Sequence, residues 1–171
     1  LREMPEELTN TDAQELARDL GALGYPGFAY LAAWRRKKNP AELLMTALAE
    51  PNLEARLVEA LPWLVLRYWD MDHHWLLSQA KLHDLQNRLG FVVSLARGVS
   101  ERREPANRAR DQALAALEAR LAQSRLARED TLCQASMTEA ERRWLAEHAS
   151  GEAQSWNLLT AWKPEHLRYV E

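Results

Sequence analysis

The sequence predicts an all-α fold, a bundle of about seven to nine helices. Three observations carry that expectation. Leu, Ala, Glu and Arg dominate the 171 residues and β-branched residues are scarce, a mixture that favours helix at most positions. Only 6 glycines occur, and no alternating apolar and polar run has the length of a useful strand. Apolar residues recur at helical spacing: Trp75, Leu82, Leu89 and Ala96 stand seven apart, with Leu85 and Val92 in the neighbouring row, which is the spacing of one buried stripe.

Taken in order, the first helix is expected from Thr11, with Gln14 three residues on completing a capping box, and with Leu16, Leu20 and Leu23 on one face. Gly24-Tyr25-Pro26-Gly27 ends it. Phe28 to Lys38 reads as a short helix or turn, apolar at first and then basic. Asn39 and Pro40 are a cap followed by proline at the first helical position. The helix they open runs to about Ala49 with Leu43, Leu44, Ala47 and Leu48 inward. Pro51 and Asn52 start the next, in which Leu53, Leu57, Ala60 and Leu61 share a face. Pro62 removes a backbone donor and crowds the preceding turn, which predicts a kink or restart before the apolar run that ends at Tyr68.

Asp70 or Asp72 caps the helix that carries the seven-residue pattern. Gly90 lies inside it, where glycine costs about 1 kcal/mol against alanine. That predicts either a neighbouring backbone in close approach or a division near Asn87. Gly98 is expected to end the helix, and residues 98–106, GVSERREPA, read as a charged linker. A helix from about Ala106 to Arg128 follows, with Leu114, Leu117 and Leu121 inward. Ser136 or Thr138 opens another, anchored by Trp144 and Leu145 and stopped at Ser150-Gly151. Trp156, Leu158, Leu159 and Trp162 mark a further short helix, and Pro164 opens a last turn ending in Tyr169 and Val170.

The length suits one domain, since domains commonly run to about 100–200 residues. Its main core is expected over residues 11–97, with C-terminal helices over 106–171, and Trp63, Leu66, Leu82, Leu85, Leu89 and Val92 as its mutually packed centre. The chain begins with Leu1 and lacks the basic and apolar regions of a signal peptide, so it reads as a piece of something longer.

Residues 50–68, EPNLEARLVEALPWLVLRY, open on an acidic residue, Pro51 and Asn52, carry an Ala55-Arg56 pair and end in an apolar half. The segment resembles one half of a HEAT-type helical repeat. No second copy follows at the period of roughly 40 residues that such arrays use. The resemblance implies a helix hairpin with an exposed binding face, and no catalysis.

Composition narrows the function. Apolar content of 47% is that of a globular chain, and a net charge of -3 supplies no global field to hold a polyanion. No apolar run reaches the roughly 18 residues that a membrane span needs. The single cysteine, Cys133, precludes an internal disulfide and fits a reducing compartment, so a bacterial cytoplasm is the expected setting. Its surroundings, DTLCQAS, offer neither a neighbouring histidine nor a glycine elbow, so a buried thiol is expected rather than a nucleophile. Asp70, Asp72, His73, His74, His83 and Asp84 are the right residue types for zinc or iron. No two histidines stand at i and i+4, however, so no tight metal is expected at Asp72, His74 and His83. No phosphate-cradling loop or nucleophile elbow is present, and no cofactor is expected.

Two binding features remain. Trp34 is followed by Arg35, Arg36, Lys37 and Lys38, a cluster able to meet phosphates; Arg102, Arg103, Arg108 and Arg110 form a looser one. The 7 tryptophans are many for this length, and aromatics are enriched at interface centres. Trp34, Trp69, Trp156 and Trp162 adjoin polar or loop segments, where full burial is hard to arrange. The expected function is therefore a non-catalytic protein–protein interaction module, a regulatory, antitoxin-like or assembly subunit that binds another protein through those tryptophans. The alternative is a nucleic-acid-associated regulator that uses residues 35–38.

Overall fold

The computed structural model describes residues 6–32 and 34–169, with side chains described from residue 13 onward. The fold is all-α, as the composition predicts. Its helices are α1 (Glu6–Ala22), α2 (Pro40–Ala49), α3 (Ala55–Arg67), α4 (His73–Leu82), α5 (Gln86–Glu101), α6 (Arg108–Gln123), α7 (Glu139–His148) and the single turn α8 (Gly151–Ser155). Two 3-10 turns, Pro26–Leu31 and Pro164–His166, and two dipeptide strands, β1 (Asp130–Thr131) and β2 (Leu158–Leu159), complete the described elements. None of these helices is long and apolar enough to cross a membrane.

α5 is the central helix. It packs along α6 and against α3, and Leu89, Phe91, Val92, Val93 and Ala96 have no exposed surface. The core around it is contiguous from Leu16 on α1 to Leu167 near the C-terminus. Trp63, Leu66, Leu85, Leu89 and Val92 are buried, as expected, but Leu82 is 70% exposed. The reason is a phase break. α4 stops at Leu82, and Asp84 takes a left-handed φ of 56° before α5 begins. The seven-residue stripe therefore does not run through both helices. On α4 the inward residues are Leu76, Leu77 and Ala80.

Local signals explain most helix ends. Asn39 accepts hydrogen bonds from the N–H groups of Ala41 and Glu42, with Pro40 at the first helical position. Asp72 caps α4 through Trp75 N–H. α1 closes with a Schellman pair, Tyr25 N–H to Leu20 O and Gly24 N–H to Gly21 O, both at 3.0 Å. Gly24 supplies the left-handed position with φ 106°.

Other expectations are corrected. α1 is already helical at Glu6, so Thr11 lies within it; the Thr11 side chain is outside the described residues. Pro51 and Asn52 do not start α3. Asn52 instead bridges to Gln134, and its side-chain oxygen accepts from Ser136 N–H and Oγ, each at 3.0 Å. Pro62 sits inside a continuous α3 rather than restarting it. Gly98 does not end α5, which reaches Glu101 with Ser100 fully buried, so the connection to α6 is shorter than the expected 98–106 linker. α7 ends at His148, next to the expected stop, and Ser150 also caps α8. Residues 156–162 are extended rather than helical: β2 pairs in parallel with β1, Leu158 beside Asp130 and Leu159 beside Thr131. Tyr169 docks edge-on against buried Tyr25; Val170 lies outside the described residues.

Candidate functional site

The surface best suited to binding is an aromatic groove between α7 and the extended C-terminal segment. Thr138 caps α7, its Oγ1 accepting from Glu141 N–H at 3.2 Å. This start fixes the phase of the helix. Leu145 then points inward to Met137, Leu159 and Ala161, a small apolar cluster beside the main core. Trp144, the preceding residue, lies about 100° round the helix and is 52% exposed. His148, one turn on, stacks on it with ring centroids 4.3 Å apart and planes 12° from parallel. The His148 Nδ1–H donates to Trp144 O at 2.7 Å, which holds the stack in place.

The opposite wall comes from the tail. Pairing with β1 fixes β2, and the buried Thr160 that follows accepts a hydrogen bond from Trp162 N–H through Oγ1 at 3.3 Å. Half-buried Trp162 faces the groove with His166, whose ring meets it at an angle. Gln134, Glu141, Leu145, Thr160 and Ala161 complete a lining around a space of about 620 Å³. That is within the common size range of ligand pockets, roughly 300–1,000 Å³. Among the described residues Glu141 is the one carboxylate in the lining, and no Lys or Arg stands there.

No family model, curated protein or solved structure matches this chain.

The expected aromatic anchors separate into four environments. Trp162 lines the groove. Trp34 is fully exposed on the loop between the first 3-10 turn and α2, with a left-handed φ of 65°. Trp69 is half-buried against the main core. Trp156 is corrected outright: it is 3% exposed, packed on α5 and covered by the guanidinium of Arg125 5.5 Å from its ring. Trp144 was expected to be an inward anchor of its helix and is instead the exposed wall of the groove.

The basic cluster is also divided. Asp19 is 2% exposed and takes Arg35 Nε on one carboxylate oxygen at 2.8 Å and Lys38 Nζ on the other at 2.9 Å. Arg35 reaches Glu15 as well, at 3.9 Å. Arg36 and Lys37 are exposed, and neither forms an ion pair with a described residue. In the looser cluster Arg102 approaches Glu165 at 3.9 Å, and buried Arg110 donates to Ser100 Oγ at 2.7 Å.

The candidate metal ligands are spread out. Asp72 is occupied as a helix cap, His73 Nε2 hydrogen-bonds Trp69 O at 2.7 Å, and His74 and His83 are exposed. Among the described residues no group of three or more His, Cys, Asp or Glu could hold a metal ion. Cys133 is buried, and desolvation pushes its thiol up to about 11 despite the nearby Arg88. A thiol so protonated is a poor nucleophile at neutral pH.

Proposed function

We propose that the chain is a non-catalytic protein–protein interaction module, a regulatory or assembly subunit of the cytoplasm. The observation that carries this is the groove between Trp144 and Trp162, which leaves two indoles at the surface around an apolar base. Aromatic side chains with one face free are the usual anchors of interface centres. The groove suits a segment that brings an apolar or aromatic side chain for the indoles and a cation for Glu141. The likeness of residues 50–68 to a HEAT-type helix suits the same class, a helical scaffold that displays a surface. The buried, protonated thiol suits a reducing compartment.

The rival reading, a nucleic-acid-associated regulator, rests on exposed Arg36 and Lys37 beside exposed Trp34. It is the weaker one because Asp19 already holds Arg35 and Lys38.

The test is selection of displayed peptides on the intact chain, followed by titration of the enriched sequences. Trp144→Ala is expected to weaken them by about 2 kcal/mol or more while the melting temperature stays put, because the ring is half in solvent already. Enriched peptides that bind Trp144→Ala and Trp162→Ala as well as the parent would sink the groove as the site.

A further inference from the structure

We infer that the occupant of the groove is a second copy of this chain, which inserts Trp34 between Trp144 and Trp162. The inference rests on the groove being an interaction site and names its partner.

Trp34 is the most exposed large apolar side chain described, at 103% of its reference surface. Its ring is thus left to solvent by the described residues. Its left-handed backbone, φ 65°, is uncommon for a bulky residue. The loop is nonetheless tied down, because Arg35 and Lys38 both close on the buried Asp19 of α1. The ring is thus presented on a pinned loop, and a pinned knob loses little freedom on docking.

Charge matches the two surfaces. Arg36 and Lys37 follow the knob two and three residues on, exposed and without an ion pair among the described residues. Among the described residues the groove lining holds Glu141 and His166 and no Lys or Arg. A guanidinium or ammonium arriving beside the Trp34 ring meets that carboxylate and the faces of two indoles. Knob and groove sit on different elements, the loop before α2 and the α7–tail junction, so each copy offers both halves of the contact. Such a contact either closes into a ring or extends along a chain of copies.

Sedimentation velocity over a concentration series tests this. The parent is expected to rise from its 19.7 kDa monomer toward dimers and larger species. Trp34→Ala, which lacks the knob, and Trp144→Ala, which lacks a groove wall, should each weaken association at least about 30-fold. Both rings are solvent-exposed, so circular dichroism should show both variants folded. Mixing the two variants is the decisive arm. The intact groove of one accepts the intact knob of the other, and association should return and stop at a one-to-one pair. Charge gives an independent pair: Glu141→Arg should weaken the parent contact, and mixing it with the Arg36→Glu/Lys37→Glu variant should restore it. A parent that stays monomeric at every concentration, or a mixture that fails to associate, overturns the inference. Peptides selected on the groove and lost with Trp144→Ala would still uphold the interaction reading in that case, so the two failures are distinct.

Discussion

The ring of Trp156 lies directly against Gly90 on α5. A Cβ placed on Gly90 would stand 2.3 Å from Trp156 Cη2 and 2.4 Å from Cζ3, inside any tolerable contact. Glycine in this buried helix thus makes the slot that seats a tryptophan from far along the chain.

Gly90→Ala sets two effects against each other. Alanine should gain about 1 kcal/mol in helix propensity. Overpacking a filled core costs typically about 1–3 kcal/mol, more where the obstacle is rigid. The obstacle here is a large ring that is itself buried, so destabilisation is expected to win by about 1–2 kcal/mol. Urea unfolding gives the sign, and Trp156→Leu in the same background should relieve part of the cost because a smaller side chain vacates the slot. A Gly90→Ala variant more stable than the parent would show that the indole is not seated there.

Leu82 and Leu89 are seven residues apart in one apolar pattern, yet one is 70% and the other 0% exposed. Leu89→Ala should cost about 2–5 kcal/mol by lost transfer energy plus a cavity. Leu82→Ala should stay within about 0.5 kcal/mol, the range of surface changes. Denaturant midpoints for the pair check the phase break at Asp84 directly.

That pair also shows what the sequence made legible. Periodicity found the inward faces of α1, α2 and α6, because it reports a local repeat that any helix must obey. It did not locate the left-handed residue at Asp84, since aspartate takes that conformation only when its surroundings demand it. The same limit applies at the groove. Trp144 and Leu145 are adjacent apolar residues of one helix, and nothing local decides which of them is buried. Trp162 was legible as an aromatic beside a polar or loop segment, though it was assigned to a short helix. Trp156 looked alike and is core, because its slot is made by Gly90, a glycine 66 residues earlier in the numbering. The extended pairing of β1 with β2 was missed for the same reason: two residues a side carry no period, and their partner is set by tertiary packing.

Arg88 ties three segments together. Its Nε and Nη2 donate to the two oxygens of Asp130 at 2.8 and 3.1 Å, and Nη1 donates to Leu48 O at 2.7 Å, at the end of α2. Burial pushes the Asp130 carboxyl up, but the hydrogen bonds from Arg88 and Thr131 N–H outweigh it and hold it below its ordinary value. A carboxyl lowered in the folded state stabilises the fold at neutral pH and loses that contribution as pH falls through the folded value. Stability of the parent should therefore decline as pH drops below about 4, and Asp130→Asn should flatten that limb while lowering stability at pH 7. Arg88→Met, which strands the carboxylate and the carbonyl, should cost about 3 kcal/mol at neutral pH. Urea titrations across the acid range measure both; parallel acid limbs for the parent and Asp130→Asn would assign the pH dependence elsewhere.

The basic loop gives the sharpest numerical contrast between the two functional readings. Were Arg35, Arg36, Lys37 and Lys38 all free, duplex binding would weaken with salt by a slope of about 4 on logarithmic axes, since each neutralised phosphate contributes roughly 0.9. Asp19 holds Arg35 and Lys38 on its two oxygens, which leaves Arg36 and Lys37. The loop's share of any slope, read as the difference from a variant in which Arg35, Arg36, Lys37 and Lys38 are all alanine, should then be no more than about 2. Asp19→Asn removes the charge that anchors the other pair and should raise the loop's share toward about 4 in the folded variant. Titration of a labelled duplex at several salt concentrations measures all three proteins. A loop share near 4 in the parent would mean that phosphate displaces Asp19 from its partners, and it would promote the nucleic-acid reading over the groove.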